Sequence, residues 1–328
     1  MVNNIRDARA VQSGLNKAYI VYEIIVEGGM TRYLALFKDV DDEDFPIKLQ
    51  NYITKNYYTC TNDILKGLAD MYTTPEFKEN IDTNKLKEDF AVLEKVLDYS
   101  SSEMSKTLPH LDPNDYVLNL EMGKEPSMSG SLSIANGAAD ALKLQYYEEK
   151  DNYKAAFNHD ISTNDWLNIC EIVDTYGELL FALPSISTNI ANPLLKEMYS
   201  ELDNDNRLFT FMCGHDSNIG SVLAALKVKK YSLPNTFERK TPIGSKILIE
   251  KWIDKETKEE YYSICLVYQS LSQLENMPIL DLNNRPVKYC LSFEGLNQNA
   301  DGLIKVIDFK NHLQKCINEY DELKNKYN

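Results

Sequence analysis

His215 and Asp216 are adjacent in the sequence, and their side chains could do chemistry together. They follow an apolar run, 208–213, which predicts a buried strand, and a glycine that ends it. Ser217 or Asn218 is expected to cap the helix that comes next. Unpaired N–H groups and the helix dipole make such a turn a natural anion site. A histidine can donate hydrogen bonds to the anion and a carboxylic acid can deliver a proton. The pair therefore suits phosphate ester chemistry, although it supplies no obvious nucleophile.

The elements that must hold this turn differ between the two parts of the chain. From about Thr61 to Leu202 the apolar residues recur at helical spacing. One of these helices contains Pro193, which is tolerable there if it falls in the first turn. After Asn206 the pattern becomes mixed and predicts an α/β segment. Its predicted elements are strands over 245–252, 261–268 and 287–293 and a closing amphipathic helix marked by Phe309, Leu313, Ile317 and Tyr320.

Composition limits the partners of the chain. With 328 residues, of which 43% are hydrophobic and 26% charged, it has the composition of a folded globular protein. A formal net charge of -15 argues against nucleic acid and against an anionic membrane surface as partners. The sequence has no apolar stretch that would cross a bilayer, and residues 1–14 do not resemble a signal peptide. The chain as written is therefore expected in the cytosol, with its oligomeric state open.

The cysteines and histidines do not predict a metal site. The six cysteines form no C-x-x-C pair, and the four histidines lack helical metal-ligand spacing. We therefore expect no metal and no cofactor. Cys213, Cys265 and Cys290 lie in strand-like apolar runs and are interpreted as buried hydrophobic residues. The even count of cysteines permits disulfides, but the sequence alone cannot assign them.

Four segments, in order along the chain, are similar to one known family. The segment Cys213-Gly-His-Asp-Ser-Asn-Ile-Gly220 resembles the C-terminal signature of the histidine acid phosphatases, branch 2 of the histidine phosphatase superfamily. The similarity is greatest to the bacterial glucose-1-phosphatases and their phytase relatives, and it runs over residues 75–320. The supporting segments are Arg239 to Trp252, Leu266 to Leu274, and Ser129 to Leu132 together with Leu144 to Glu148.

The resemblance implies an α/β fold, with a mixed-sheet histidine-phosphatase-like core and an inserted, mainly helical subdomain. It divides the chain into an N-terminal remnant or replacement of the core at 1–60, the helical subdomain at 61–205 and the C-terminal part of the core at 206–328. The N-terminal part of the core is then incomplete or replaced. We expect the strand-like run from Ala18 to Val26 to fill the place of the missing strand.

In the family, catalysis begins at an N-terminal Arg-His-Gly-x-Arg-x-Pro motif, whose histidine attacks phosphorus to form a phosphohistidine. The resemblance implies that His215 binds the phosphate and that Asp216 protonates the leaving alcohol. The first motif is absent here, since none of the four histidines follows an arginine and residues 1–60 contain no histidine. Arg9, or alternatively Arg6, is a candidate remnant of a phosphate-binding arginine.

The resemblance also places Tyr147 and Glu148 at the substrate pocket. The alternative for Glu148 is a solvated glutamate among charged neighbours. Ser217 is interpreted as a helix cap and not as a nucleophile, because its surroundings lack the G-x-S-x-G elbow. The remaining histidines, which we expect on the surface, are His110, His159 and His312.

Two functions follow from these expectations. The first is an acid phosphomonoesterase of the histidine acid phosphatase type, acting on sugar phosphates or inositol phosphates and impaired here because the nucleophilic histidine motif is absent. The second is a catalytically silent protein that binds a phosphate ligand. In both, the partner is a small-molecule phosphate ester. Members of the family are periplasmic or secreted, whereas this sequence shows no export signal, so the location stays open.

Overall fold

The computed structural model divides the chain into two compact units. The first comprises 1–56 and 200–214, and the second comprises 57–199 and 215–328. The residues that the structure describes are 2–3, 20–25, 31–36, 81–121, 124, 126–149, 151–204 and 209–327. The predicted division at 60 and 205 stays a prediction.

A small antiparallel sheet lies in the first unit. Its strands are β1 (Val2–Asn3), β2 (Ile20–Ile25) and β3 (Thr31–Leu36), in the order β1-β3-β2. The strand predicted from Ala18 to Val26 is therefore confirmed as β2. Among the described residues its strand partner is β3, and the expectation that it fills the place of the missing strand stays a prediction. Arg9 lies outside the described residues.

The predicted buried strand before the His-Asp turn does not form. Residues 209–213 carry no strand, and Phe209 is 51% exposed, while Leu208 lies outside the described residues. An apolar run supplies the side chains for a strand, but a strand also needs a hydrogen-bonded neighbour. The sequence pattern alone could not show whether that neighbour exists.

Helices dominate the chain from 83 to 202, as predicted. They follow the expected spacing of apolar residues, and side-chain caps mark three of their starts. Asp151 accepts a hydrogen bond from the Tyr153 N–H at 3.1 Å. Asp82 accepts a hydrogen bond from the Lys85 N–H at 3.0 Å, and Ser162 and Asp165 form a reciprocal capping box. The elements are α1 (Thr83–Val96), the hairpin strands β4 (Tyr116–Asn119) and β5 (Ser127–Gly130), α2 (Ser131–Glu148), α3 (Asn152–Ala155), α4 (Thr163–Gly177), a π-helical turn (Glu178–Ala182) and α5 (Pro184–Leu202).

Pro193 lies well inside α5, so the condition that it falls in the first turn is not met. Proline removes one helical hydrogen bond and crowds the preceding turn. The helix nevertheless continues to Leu202, because Ile190, Leu194 and Leu195 bury its apolar surface. Packing therefore outweighs the local preference of proline.

The C-terminal part of the second unit contains an antiparallel sheet. Its order is β6-β7-β8, and β9 also pairs with β7. The three predicted strands and the closing helix are confirmed, although the third strand ends at Cys290 and not at 293. The elements are α6 (Asp216–Ala225), β6 (Lys246–Ile253), β7 (Glu260–Tyr268), α7 (Leu271–Asn276), β8 (Val287–Cys290), β9 (Ile304–Lys305) and α8 (Val306–Tyr327). The helices and sheets together give the predicted α/β class.

Two of the cysteines interpreted as buried hydrophobic residues are joined. Cys265 on β7 and Cys290 on β8 lie directly opposite each other and form a disulfide. Cys265 is buried, but Cys290 is exposed, so the interpretation of Cys290 was wrong. The alternation of residues along a strand shows which face of the strand a cysteine lies on. Which residue lies opposite that cysteine depends on the partner strand and on its register.

No helix in the described part of the chain is long and apolar enough to span a membrane.

Asp89 is a buried carboxylate on α1 whose titration should affect stability. It forms an ion pair with Lys85, and its Oδ2 atom has no hydrogen-bond partner among the described residues. Burial raises the pKa of Asp89 from 3.8 to about 6, although Lys85 opposes this shift. The folded chain therefore binds the proton more strongly than the unfolded chain between pH 4 and 6. Its free energy of unfolding should fall by about 2 to 3 kcal/mol through this group as the pH rises across that window.

The measurement is the difference in unfolding free energy between the wild type and Asp89→Asn. It is determined by urea unfolding at a series of pH values from 4 to 7. The variant should gain stability relative to the wild type as the pH rises, because its amide cannot ionise. Asn84→Ala, at an exposed and non-titratable position on the same helix, serves as the control and should show a flat difference. A flat difference for Asp89→Asn would contradict the prediction.

Candidate active site

The start of α6 places His215 and Asp216 next to each other. His215 is the N-cap residue, with an extended backbone, and Asp216 is the first residue of the helix. His215 is partly buried and Asp216 is exposed. The helix buries Val222, Leu223 and Ala225 and packs on the π-helical turn, so its hydrophobic face fixes where its N-terminus lies. The predicted pair therefore lies at a helix N-terminus, as expected.

The capping of this helix differs from the prediction in detail. The Asn218 side chain accepts a hydrogen bond from the His215 N–H at 2.9 Å, so Asn218 contributes to the cap from the third position of the helix. Ser217 does not cap the helix. Its own N–H donates to Asp216 Oδ1 at 2.8 Å, and its side chain is buried. A buried Ser217 also agrees with the interpretation that it is not a nucleophile.

These bonds determine what the turn can offer to an anion. The N–H groups of Asn218 and Ile219 both donate to the His215 carbonyl at 3.1 Å, and that of Ser217 is used by Asp216. The Asp216 N–H has no acceptor among the described residues. An anion would therefore meet this N–H, the His215 imidazole and the positive end of the helix dipole. Fewer backbone donors are available than the sequence argument assumed.

The Asp216 carboxylate is suited to deliver a proton. One oxygen, Oδ1, is held by the Ser217 N–H, and this bond fixes the orientation of the carboxyl group. Because Asp216 is exposed, the other oxygen can face a bound ester. A general acid must lie within hydrogen-bond reach of the atom it protonates, and a fixed but exposed carboxyl meets that requirement.

Tyr147 and Glu148 lie at the C-terminal end of α2. Glu148 is exposed and is the last residue of the helix, so its carboxylate is available to a ligand or to water. The Tyr147 hydroxyl instead donates to Glu238 Oε2 at 2.7 Å. Burial and the nearby Glu238 carboxylate raise the pKa of Tyr147 above its ordinary value. This hydroxyl therefore links α2 to Glu238.

Glu238 is the centre of a buried network that the sequence argument missed. It accepts hydrogen bonds from Tyr147 and from the Ile243 N–H at 3.0 Å, and its Oε1 lies 2.9 Å from Lys143 Nζ. Lys143 also contacts Asp140 at 2.8 Å. The helical spacing of Lys143 and Tyr147 shows that they share a face of α2. A single sequence contains no signal that pairs this face with Glu238.

The other three histidines have different environments. His110 is exposed, as predicted, and contacts Glu94 at 3.1 Å. His159 is only 24% exposed and lies 3.2 Å from Asp98, and His312 is partly buried with its Nε2 2.8 Å from the Leu226 carbonyl. The surface prediction was therefore wrong for His159 and His312. A position beside an apolar stripe does not show whether another element covers it.

Among the residues that the structure describes, no group of three or more His, Cys, Asp or Glu side chains could hold a metal ion. The roles of Arg9, His215, Asp216, Tyr147 and Glu148 in ligand binding stay predictions.

Comparison with known proteins gives two matches to families and several relatives. Residues 68–269 match the sequence model of the "Histidine phosphatase superfamily (branch 2)". Residues 1–47 match a different one, "Protein of unknown function (DUF3048) N-terminal domain". The chain is 32% identical to a glucose-1-phosphatase of Providencia rettgeri over 260 residues, which are 75% of this chain and 62% of the relative. It is 31% identical to a glucose-1-phosphatase of Salmonella typhimurium, over 69% of this chain and 56% of the relative.

Solved structures show the same fold. The phytase of Citrobacter braakii superposes with a TM-score of 0.68 at 21% identity, over 81% of this chain and 70% of the phytase. The apo phytase of Hafnia alvei gives a TM-score of 0.67 at 20% identity, over 80% of this chain and 67% of the phytase. The chain spans less than two thirds of the length of the glucose-1-phosphatases that it matches. The family match over residues 68–269 nevertheless includes the helix that starts at His215 and Asp216, and the chain belongs to branch 2 of the histidine phosphatase superfamily.

Proposed function

We propose that this chain binds small phosphate monoesters at the start of α6 and has the leaving-group half of a phosphatase site. His215 binds the phosphate, and Asp216 protonates the departing alcohol. The observation that carries the proposal is the placement of this pair at the N-cap and first position of a helix, with the Asp216 carboxyl oriented by Ser217. The relatives named for glucose 1-phosphate and the phytases support sugar phosphates or inositol phosphates as the ligand class.

Turnover by the covalent route needs a nucleophile beside the phosphate. The sequence contains no Arg-His-Gly motif. Loss of a covalent nucleophile costs on the order of 10^4 to 10^6 in rate. We therefore expect this chain to hydrolyse phosphate esters slowly, with Asp216 assisting the leaving group.

A second candidate function is binding without chemistry. One observation favours it: His110 contacts Glu94, His159 contacts Asp98 and His312 contacts the Leu226 carbonyl, so these three imidazoles are engaged by protein groups. None of these imidazoles follows the family's Arg-His-Gly pattern. Under this alternative, glucose 1-phosphate would bind saturably and would be recovered intact.

The experiment compares two substrates with different leaving groups, glucose 1-phosphate and 4-nitrophenyl phosphate, at pH 4 to 6. If Asp216 is the general acid, Asp216→Asn should lower the rate with glucose 1-phosphate by about 10^2 to 10^4-fold. The loss should be smaller with 4-nitrophenyl phosphate, because 4-nitrophenolate leaves without a proton. The asparagine oxygen can still accept the Ser217 N–H, so the turn is kept.

His215→Ala should lower the rate with both substrates equally, because both carry the same phosphate. His110→Ala is the matched control, since His110 is exposed and far along the sequence from α6. Equal losses with both substrates in Asp216→Asn would refute the role of Asp216. Binding of glucose 1-phosphate with no turnover above His215→Ala would support the silent alternative.

A further inference from the structure

The end of α6 opposite the candidate site is held by α8. The helix stops at Leu226, whose carbonyl is one of the last-turn acceptors that lack a partner within the helix. His312, on α8, places its Nε2 2.8 Å from this oxygen. Lys227, the next residue, forms an ion pair with Glu319, also on α8.

The contact defines the tautomer of His312. A carbonyl oxygen can only accept a hydrogen bond, so the Nε2 atom that faces it must carry the proton. A donor at this position also interacts favourably with the negative end of the helix dipole. His312 is thus a C-terminal cap for α6 that comes from a different helix.

The ring of His312 is itself fixed. Its centroid lies 6.1 Å from that of Phe293, with the rings edge to face, and its Nε2 lies 3.7 Å from Cys316 Sγ. Phe293 is fully buried and forms an isolated antiparallel bridge with Val228, just beyond the helix. The imidazole therefore cannot swing away without disturbing the packing at the exit of α6.

The backbone of α6 connects its C-terminal end, at Leu226, to its N-terminal end, at His215. It has 10 residues and so is about 15 Å long. A rigid rod held at one end transmits a small tilt as a displacement at the other end. Misplacement of a binding group by about 1 Å can cost on the order of a hundredfold in activity.

From these contacts we infer that His312 is a positioning residue for the phosphate site. By holding the C-terminal end of α6, it sets the direction of the helix and hence the place of the His215-Asp216 turn. The inference rests on the proposed function for its effect on phosphate. Its effect on the helix is independent of that function.

The test compares variants at one position in the full chain. His312→Phe keeps a ring against Phe293 but removes the donor, and His312→Met provides a second non-donor if the phenylalanine variant does not fold. His312→Gln keeps an N–H that can reach the carbonyl. His110→Phe is the control at an exposed histidine.

Two readouts are measured on each folded variant. The first is amide hydrogen exchange of Asn218 and Ile219, whose N–H groups are bonded to the His215 carbonyl at the start of α6. The second is the Kd of inorganic phosphate by calorimetry. We expect the non-donor variants to exchange these amides faster and to bind phosphate about tenfold more weakly. His312→Gln should restore both properties, and His110→Phe should change neither.

Faster exchange confined to residues 224–228 would overturn the inference, because the disturbance would then end at the cap. Failure of glutamine to restore the start of the helix would overturn it as well. If the wild type binds no phosphate, the proposed function fails, and the exchange of Asn218 and Ile219 still decides whether His312 positions the turn.

Discussion

Replacing Lys143 by Met is expected to lower the free energy of unfolding by about 3 to 5 kcal/mol, because it leaves a buried carboxylate without its cation. The Lys143 and Glu238 side chains are only 7% and 6% exposed. Burial alone would lower the pKa of Lys143, but Glu238 and Asp140 outweigh this effect and raise the pKa above its ordinary value. The Lys143 ammonium is therefore charged in the folded chain at neutral pH.

The matched control is Lys106→Met. Lys106 forms an ion pair with Glu103 at 2.5 Å, but these side chains are 66% and 89% exposed. Exposed pairs contribute about 0 to 1 kcal/mol, so this variant should stay close to the wild type in urea unfolding. The double variant Lys143→Met with Glu238→Gln should be less destabilised than the sum of the single losses, because the carboxylate charge is removed too. A Lys143→Met chain as stable as Lys106→Met would contradict the role of the buried pair.

Reducing the disulfide between Cys265 and Cys290 is expected to have the second largest effect. The two residues are 25 positions apart, and closing a loop of that length restricts the unfolded chain by about 3.5 kcal/mol. The neighbouring bond from the Leu291 N–H to the Ile264 carbonyl shows that the cysteines occupy a non-hydrogen-bonded pair of the ladder. In such pairs the two Cα atoms approach closely, and here they are 3.9 Å apart.

The measurement is thermal unfolding of the wild type with and without a phosphine reductant, with free thiols counted by mass spectrometry. The reduced chain should unfold at a lower temperature. A double variant, Cys265→Ala with Cys290→Ala, should unfold near the reduced wild type and should not respond to reductant. If the untreated wild type shows free thiols at both cysteines, the disulfide assignment is wrong.

Local sequence signals were sufficient for the elements that carry the candidate site. The helix after His215 was predicted from its apolar spacing and a polar start, and β6 and β7 from alternation around a polar turn. These signals are local because a helix or a hairpin is made from neighbours in sequence. The family resemblance then supplied the role that we propose for the pair at the turn.

Properties that depend on distant partners could not be predicted. The strand expected at 208–213 required a neighbouring strand, and the disulfide required the register of β7 against β8. The buried pair of Lys143 and Glu238 joins residues that are 95 positions apart along the chain. His312 was misjudged for the same reason, since its partner at Leu226 comes from another helix.

The match of residues 1–47 to a second family bears on the expectation that the N-terminal part of the core is incomplete or replaced. That expectation stays a prediction. Arg9, predicted as a phosphate-binding remnant, falls within this match and outside the described residues.

The central claim is that the turn at His215 and Asp216 binds phosphate. Its most direct test is a calorimetric titration of inorganic phosphate into the wild type, His215→Ala and Asp216→Asn. We expect saturable binding by the wild type and a loss of affinity of about 10 to 100-fold in His215→Ala, as for a hydrogen bond to a charged group. Asp216→Asn should bind as tightly or more tightly, because a negative charge beside the anion is removed. No binding by the wild type at millimolar phosphate, or equal affinity in His215→Ala, would contradict it.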